Sequence, residues 1–236
     1  MFQWTPDVIR FRKDAAAYNC FDDAIAGRVA AALPPGSHVC DAGCGLGFLS
    51  LALARRGFSV TAVDTSAAAL SVLQGAAGDF PGLKILHGDL FAMEPETFYD
   101  AMVFCFFGSV EEALSAARNQ CRGRLFLIKK DWETHRFALS SQKPERFSFS
   151  RTCRELEQRK IPYAAQTFSL EMGQPFRTKE DAILFLRLFD SGIPHDIGDV
   201  SRLLVPTRSE EFPYCISSCR PLGLIGVETA DIPAQL

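Results

Sequence analysis

The stretch Val39-Cys40-Asp41-Ala42-Gly43-Cys44-Gly45-Leu46-Gly47 places three glycines at alternate positions directly after a short apolar run. Glycine has no Cβ, so its backbone reaches torsions closed to other residues and lets a ligand come close. Residues 38–42 read as a buried strand. Residues 48–56 read as a helix, closed by Gly57 at its C-terminal end. The glycines therefore form a strand-to-helix turn, which places a nucleotide-like ligand at the carboxyl end of the strand. A dinucleotide fold wants its third glycine three residues after the second. Here that position is Phe48, and the carboxylate Asp41 stands two residues before the first glycine. A carboxylate at this point opposes a pyrophosphate and suits a cationic amino-acid group.

Working outward, strand and helix alternate. Residues 4–33 read as helical, with Phe21, Ile25 and Val29 on one stripe, and Pro34, Pro35 and Gly36 stop the helix. Strands are expected at 58–63, 83–86, 99–107 and 125–128, and helices at 67–74 and 110–119. Strands separated by ten-residue helices imply right-handed crossovers and a parallel sheet. Past Lys130 the pattern loosens. A helix is expected at 151–159, a strand at 163–170 and a helix at 178–189. A long Gly/Pro/Asp-rich excursion follows at 193–213, then strand-like material broken by Pro221 and Gly223.

Two further acidic residues fall in register with the glycine turn. Asp64 ends the second strand, where a carboxylate can accept both hydroxyls of a ribose. Its distance from the turn suits NAD and an adenosine of any other kind equally. Gly88-Asp89-Leu90 follows the third strand.

With these three stations in place, the chain resembles the class I S-adenosylmethionine (SAM)-dependent methyltransferases. Their first motif has the form Asp/Glu-x-Gly-x-Gly-x-Gly, and Asp41 to Gly47 match it throughout. The resemblance implies an α/β Rossmann-like three-layer sandwich. Its mostly parallel seven-stranded sheet carries helices on both faces, an N-terminal helical lid and a late insertion. It implies SAM as cofactor and S-adenosylhomocysteine as product. It lays Gly43, Cys44 and Gly45 against the methionine part, Asp64 and Thr65 at the ribose, and Asp89 and Leu90 at the adenine. Tyr18 of the N-terminal segment and Phe104 of the fourth strand complete the expected cofactor set, although Phe104 also reads as core. The whole chain is expected to be one domain, with 1–34 as helical cap, 35–130 as SAM-binding core, and 131–236 as late strands with a substrate-covering insertion.

The acceptor is less determined. The exit of the fourth strand, Val103 to Ser109, lacks the Asn/Asp-Pro-Pro-aromatic stretch used on nucleobase amines, and no Pro-Cys pair occurs. With a net charge of -3, these absences argue against a nucleic-acid partner. A small-molecule acceptor is the favoured reading. It is expected between the N-terminal helix and residues 168–189, and Arg10, Arg12 and Lys13 are candidates to meet a carboxylate. Alternatives are a protein or RNA methyltransferase and, from other classes, an NAD-dependent oxidoreductase or a SAM-binding protein without activity. A general base would come from Asp131, Glu133, His135 or His195, with His135 and Asp131 foremost. No apolar run is long enough to span a bilayer. No signal-peptide core opens the chain, and the cysteines show no metal-ligand spacing. Free thiols, a cytoplasmic location, no bound metal and no membrane partner are expected.

Overall fold

The structure is a computed structural model that describes residues 3–94, 96–131, 148–189 and 197–234. Two N-terminal helices, α1 (Pro6–Tyr18) and α2 (Phe21–Ala30), lead into β1 (His38–Ala42). The alternation continues with α3 (Phe48–Ala54), β2 (Ser59–Asp64), α4 (Ala67–Ala76), β3 (Leu83–His87), β4 (Tyr99–Cys105), α5 (Val110–Gln120) and β5 (Cys121–Lys130). The later chain supplies α6 (Phe149–Gln158), β6 (Ala164–Glu171), β7 (Gln174–Phe176), α7 (Lys179–Phe189), α8 (Ile197–Leu203), β8 (Val205–Pro206), β9 (Tyr214–Ile216) and β10 (Cys219–Glu228).

Seven strands make one sheet in the order β3-β2-β1-β4-β5-β10-β6. The first five pair in parallel, and β10 runs antiparallel to both neighbours. Helices cover both faces. One face buries Leu114, Leu125, Leu127 and Leu156, and the other buries Ile25, Val29, Leu53 and Phe126. The order of the strands reverses at β1, whose neighbours are β2 and β4. This is the switch point at which open α/β sheets leave a crevice for ligands.

The expected helix over 4–33 is two helices. Asn19 adopts an extended backbone, and its side-chain amide donates to the Gly173 carbonyl at 2.7 Å. That long-range bond holds the corner, and nothing in the local periodicity announces it. The expected break at Pro221 and Gly223 does not occur, because β10 runs straight through both. Gly223 is required by packing. The Phe149 ring lies so close that a Cβ there would stand 1.8 Å from it. The excursion over 193–213 holds the helix α8 and the strand β8.

Outside the main sheet, β7, β9 and β8 form a small antiparallel sheet. It shares a separate core with α1: Phe11, Phe176, Phe185, Leu186 and Val200 are all buried together. Phe11 meets the rings of Phe176 and Phe185 edge-on, at 6.2 and 5.1 Å between centroids. Gln174 donates to the Phe11 carbonyl at 3.0 Å, and Arg177 joins the buried Asp14 at 2.6 Å. The N-terminal helix and the late insertion thus pack together, and where Phe11 meets Phe176 and Phe185 aromatic side chains fill the space between them.

Candidate active site

The turn after β1 is shaped by three glycines in the left-handed region, with φ of +65° at Gly43, +56° at Gly45 and +74° at Gly47. Each is also tightly overlaid. A Cβ on Gly43 would lie 2.5 Å from the Phe107 ring, one on Gly45 2.7 Å from Trp4, and one on Gly47 2.4 Å from Leu73. Torsion and close approach therefore both demand glycine here. The first two contacts come from aromatic side chains, not from backbone.

Asp41 lies beneath this turn, 2% exposed. It accepts a 2.6 Å hydrogen bond from the Ser50 hydroxyl on α3. Burial pushes its carboxyl up to about 7, and the Ser50 bond pulls it part of the way back. Asp64, at the tip of β2, is tied into the same turn. One of its oxygens accepts from Gly45 N and the other from Ser66 N, both at 2.8 Å. Ser66 is the N-cap of α4, so Asp64 is not that helix's cap. A carboxylate offers about four lone-pair sites, which leaves capacity for two ribose hydroxyls. Thr65 is exposed beside it, and its carbonyl meets His87 Nε2 at 3.0 Å. Asp89, exposed at the exit of β3, accepts from Phe91 N at 3.0 Å. Leu90 is buried, and its carbonyl accepts from Gln120 at 3.0 Å. The parallel register pairs Asp64 with His87 and Ala42 with Val63. The glycine turn, Asp64 and Asp89 thus leave three adjacent strands at one sheet edge.

A sequence model of the methyltransferase-domain family matches residues 39–138. This stretch of the chain therefore carries a methyltransferase domain. The fold is shared with solved structures of low sequence identity. One is a putative methyltransferase from an antibiotic biosynthesis pathway of Anabaena variabilis, with TM-score 0.57 and 18% identity over 86% of this chain and 96% of that one. Another is a putative methyltransferase from Bacillus halodurans, with TM-score 0.55 and 16% identity over 89% and 99%. A third is the magnesium protoporphyrin IX methyltransferase of Synechocystis with S-adenosylhomocysteine bound, with TM-score 0.52 and 19% identity over 95% and 89%. None of the curated proteins matches the sequence significantly.

In this methyltransferase fold the exit of β4 adjoins the turn. Phe106 N donates to the Ile128 carbonyl at 3.1 Å, but its φ of +57° turns the chain out of the strand expected to reach Phe107. Lys129 is 2% exposed, and its ammonium donates to the carbonyls of Phe107 and Gly108 at 3.2 and 2.9 Å, fixing the loop. Ser109 and Glu112 close the start of α5 as a capping box. Residues 106–109, Glu112, Lys129 and Lys130 line a cavity of about 200 Å³. Phe107 belongs to both places, with its ring on Gly43 and on the wall of the cavity.

Not every expected residue stands at this edge. The Phe104 side chain is wholly buried and stacks at 5.9 Å on Phe107, so it supports the wall from behind. Tyr18 sits at the far end of α1, edge-on to Phe212 at 6.1 Å. Trp4, which precedes that helix, is the residue on the glycine turn. The two ends are separated by the length of a 13-residue helix, about 18 Å at 1.5 Å per residue. Arg10 pairs with Asp181 at 2.8 Å, and Arg12 makes a bidentate pair with Asp22 at 2.6 and 2.7 Å. Both arginines therefore serve the cap and its seat. Asp131 accepts from Ser150 at 2.9 Å. Glu133, His135 and His195 lie outside the described residues. Sequence reasoning does not single out Ser50 or Lys129. Ser50 does leave a signal, a hydroxyl on the buried side of a helix nine residues past Asp41.

No group of metal-ligating side chains occurs among the described residues, and no described helix is long and apolar enough to cross a membrane. All eight cysteines are unpaired.

Proposed function

We propose that this chain transfers the methyl group of SAM to a small-molecule acceptor held at the exits of β4 and β5, and that it does so in the cytoplasm, where its eight unpaired thiols stay reduced. When bound, SAM brings its own electrophile, a sulfonium methyl, so the protein has to hold, align and exclude water. In this reading Gly43 to Gly45 carry the methionine part, and Asp41 beneath them answers its ammonium. Asp64 and Thr65 take the ribose, and Asp89 with the Leu90 amide takes the adenine.

The observation that carries the acceptor is the cavity that shares Phe107 with the glycine turn. Its size suits a small molecule, and its place puts an acceptor within reach of a methyl group lying on the turn. One structural relative acts, by its name, on a porphyrin. If the accepting atom carries a proton, a base must remove it. Glu112 lines the cavity, but the Ser109 amide and hydroxyl hold its carboxyl below the usual range and make it a weak base. Asp131, one residue past the cavity-lining Lys130, is the candidate carboxylate for that role.

Calorimetry on the purified protein tests the reading. Binding of SAM and S-adenosylhomocysteine with no response to NAD is the expected result. Micromolar NAD binding without SAM binding would overturn it in favour of an oxidoreductase.

A further inference from the structure

Two aromatic rings close on the glycine turn from separate parts of the chain, one ahead of α1 and one past β4. They do so differently. A Cβ on Gly45 would lie 2.7 Å from Trp4 Cζ2, but 3.4 and 3.6 Å from the neighbouring Cη2 and Cε2. The indole therefore meets this glycine with the edge of its six-membered ring. A Cβ on Gly43 would lie 2.5, 2.7 and 2.8 Å from Cγ, Cδ2 and Cδ1 of Phe107. That ring covers Gly43 with its face and belongs to the wall of the cavity. Trp4 is thus the contact that the N-terminal segment alone brings to the turn.

The turn has no freedom to recede from Trp4. Cys44 N donates to the Val63 carbonyl at 3.0 Å, Gly45 N to Asp64 at 2.8 Å, and Gly47 N to the Cys44 carbonyl at 3.0 Å. These bonds pin the turn to β2 and to its tip. The helix behind Trp4 is fixed as well. Phe11 is buried with Phe176 and Phe185, Arg10 holds Asp181 at 2.8 Å, and Arg12 holds Asp22 at 2.6 Å. The Arg12 guanidinium also lies 5.0 Å from the ring of Phe48, the first residue of α3. Trp4 itself stands outside the helix, since Thr5 is the N-cap and α1 begins at Pro6. A cap and a proline fix the start of a helix, so the residue ahead of them can turn aside without unwinding it. A methionine chain laid on Gly45 needs room that the ring edge fills, and close-packed groups do not share space. Of the partners at this contact, the ring is the one built to move.

We propose that Trp4 competes with the methionine part of SAM for the seat proposed for it above, and that the cofactor enters when the ring swings off Gly45. The contact is then autoinhibitory. A lid makes the opposite demand, because a lid ring adds to the hold on the ligand. If the open form is about one-tenth of the population, the apparent affinity is about tenfold weaker than that of the open form.

Calorimetry with S-adenosylhomocysteine on the full chain reads the sign. Trp4→Ala is expected to bind about tenfold more tightly than the parent, with Trp4→Phe, whose ring is shorter, in between. A second measurement keeps Trp4 in place. The sequence has two tryptophans, Trp4 and Trp132, so a Trp132→Phe chain carries Trp4 as its one indole fluorophore. Adding S-adenosylhomocysteine to that chain is expected to increase the quenching of its fluorescence by acrylamide, as the ring leaves the turn. Weaker or equal binding by Trp4→Ala overturns the proposal, and so does quenching that falls or stays constant. Binding of S-adenosylhomocysteine by neither the parent nor Trp4→Ala strikes the methyltransferase reading instead.

Discussion

The glycine turn and the aromatic cap are both built on close packing, yet they depend on the chain in opposite ways. At the turn, the hydrogen bonds that tie Gly45, Asp64 and Ser66 together join residues within about two dozen positions of one another. In the cap, Phe11 packs on Phe176 and Phe185 across more than 160 residues of sequence. The turn is defined by backbone torsions that one residue type can adopt. The cap is defined by complementary side-chain volumes, which many residue combinations can supply. A local device of this kind tolerates damage elsewhere, whereas a long-range core fails when either contributor is removed.

The largest effect should come from breaking the cap. Deleting residues 1–18 removes Phe11, Asp14 and the acceptor for Gln174. Hydrogen exchange should then lose protection over Gln174–Phe176 and Lys179–Phe189 and keep it in β1 to β5. Phe11→Ala should reproduce this with a loss of about 3–5 kcal/mol. Unchanged protection in α7 would show that the two regions are independent after all. The sheet begins only at His38, which by itself suggests that everything past residue 35 stays folded without the N-terminal segment. The cap core revises that expectation, and only the sheet should survive.

Next in size is the response of Asp41 to pH, which probes the local region alone. Its carboxyl is raised to about 7 in the folded chain and titrates near ~3.9 when unfolded. The folded state therefore holds the proton more tightly. The contribution of this group is fully present below about pH 4 and is lost as pH rises through about 7. Urea denaturation of the parent and of Asp41→Asn at pH 5 and pH 8 should show a pH-dependent difference between them, the parent losing ground at the higher pH. Parallel pH profiles for the two proteins would place the carboxylate outside the buried environment described above.

The smallest effect concerns Asp64, proposed above to hold the ribose. Asp64→Ala should weaken SAM binding by roughly 1.5–3 kcal/mol through loss of charge-assisted hydrogen bonds, as read by calorimetry. The cap should keep its exchange protection, since the Asp64 carboxylate bonds to Gly45 and Ser66, both outside the cap. Normal affinity would mean that Asp64 serves only those two amides.

Much of the core was legible residue by residue. The alternation from His38 to Lys130 placed five strands, and Asp41 to Gly47, Asp64 and Asp89 arrived at one sheet edge because strand tips in a parallel sheet all face the same way. Tyr18 lies at the end of α1 far from Trp4, because its distance from the turn depends on the direction in which α1 docks. The sequence offers Phe106 and Phe107 equally as acceptor-pocket lining or as sheet core; the contact of Phe107 with Gly43 depends on the left-handed turn at Phe106.

By itself, then, the sequence determined the sheet's alternation, the glycine turn and the acidic stations, since backbone torsion and hydrophobic period are written locally. The tertiary structure decided the rest. It joined Phe11 to Phe176 and Phe185, carried β10 through Pro221 and Gly223, and set Lys129 beneath the Phe107–Gly108 carbonyls. Those outcomes follow from which surfaces meet in space, and no stretch of a dozen residues contains both partners.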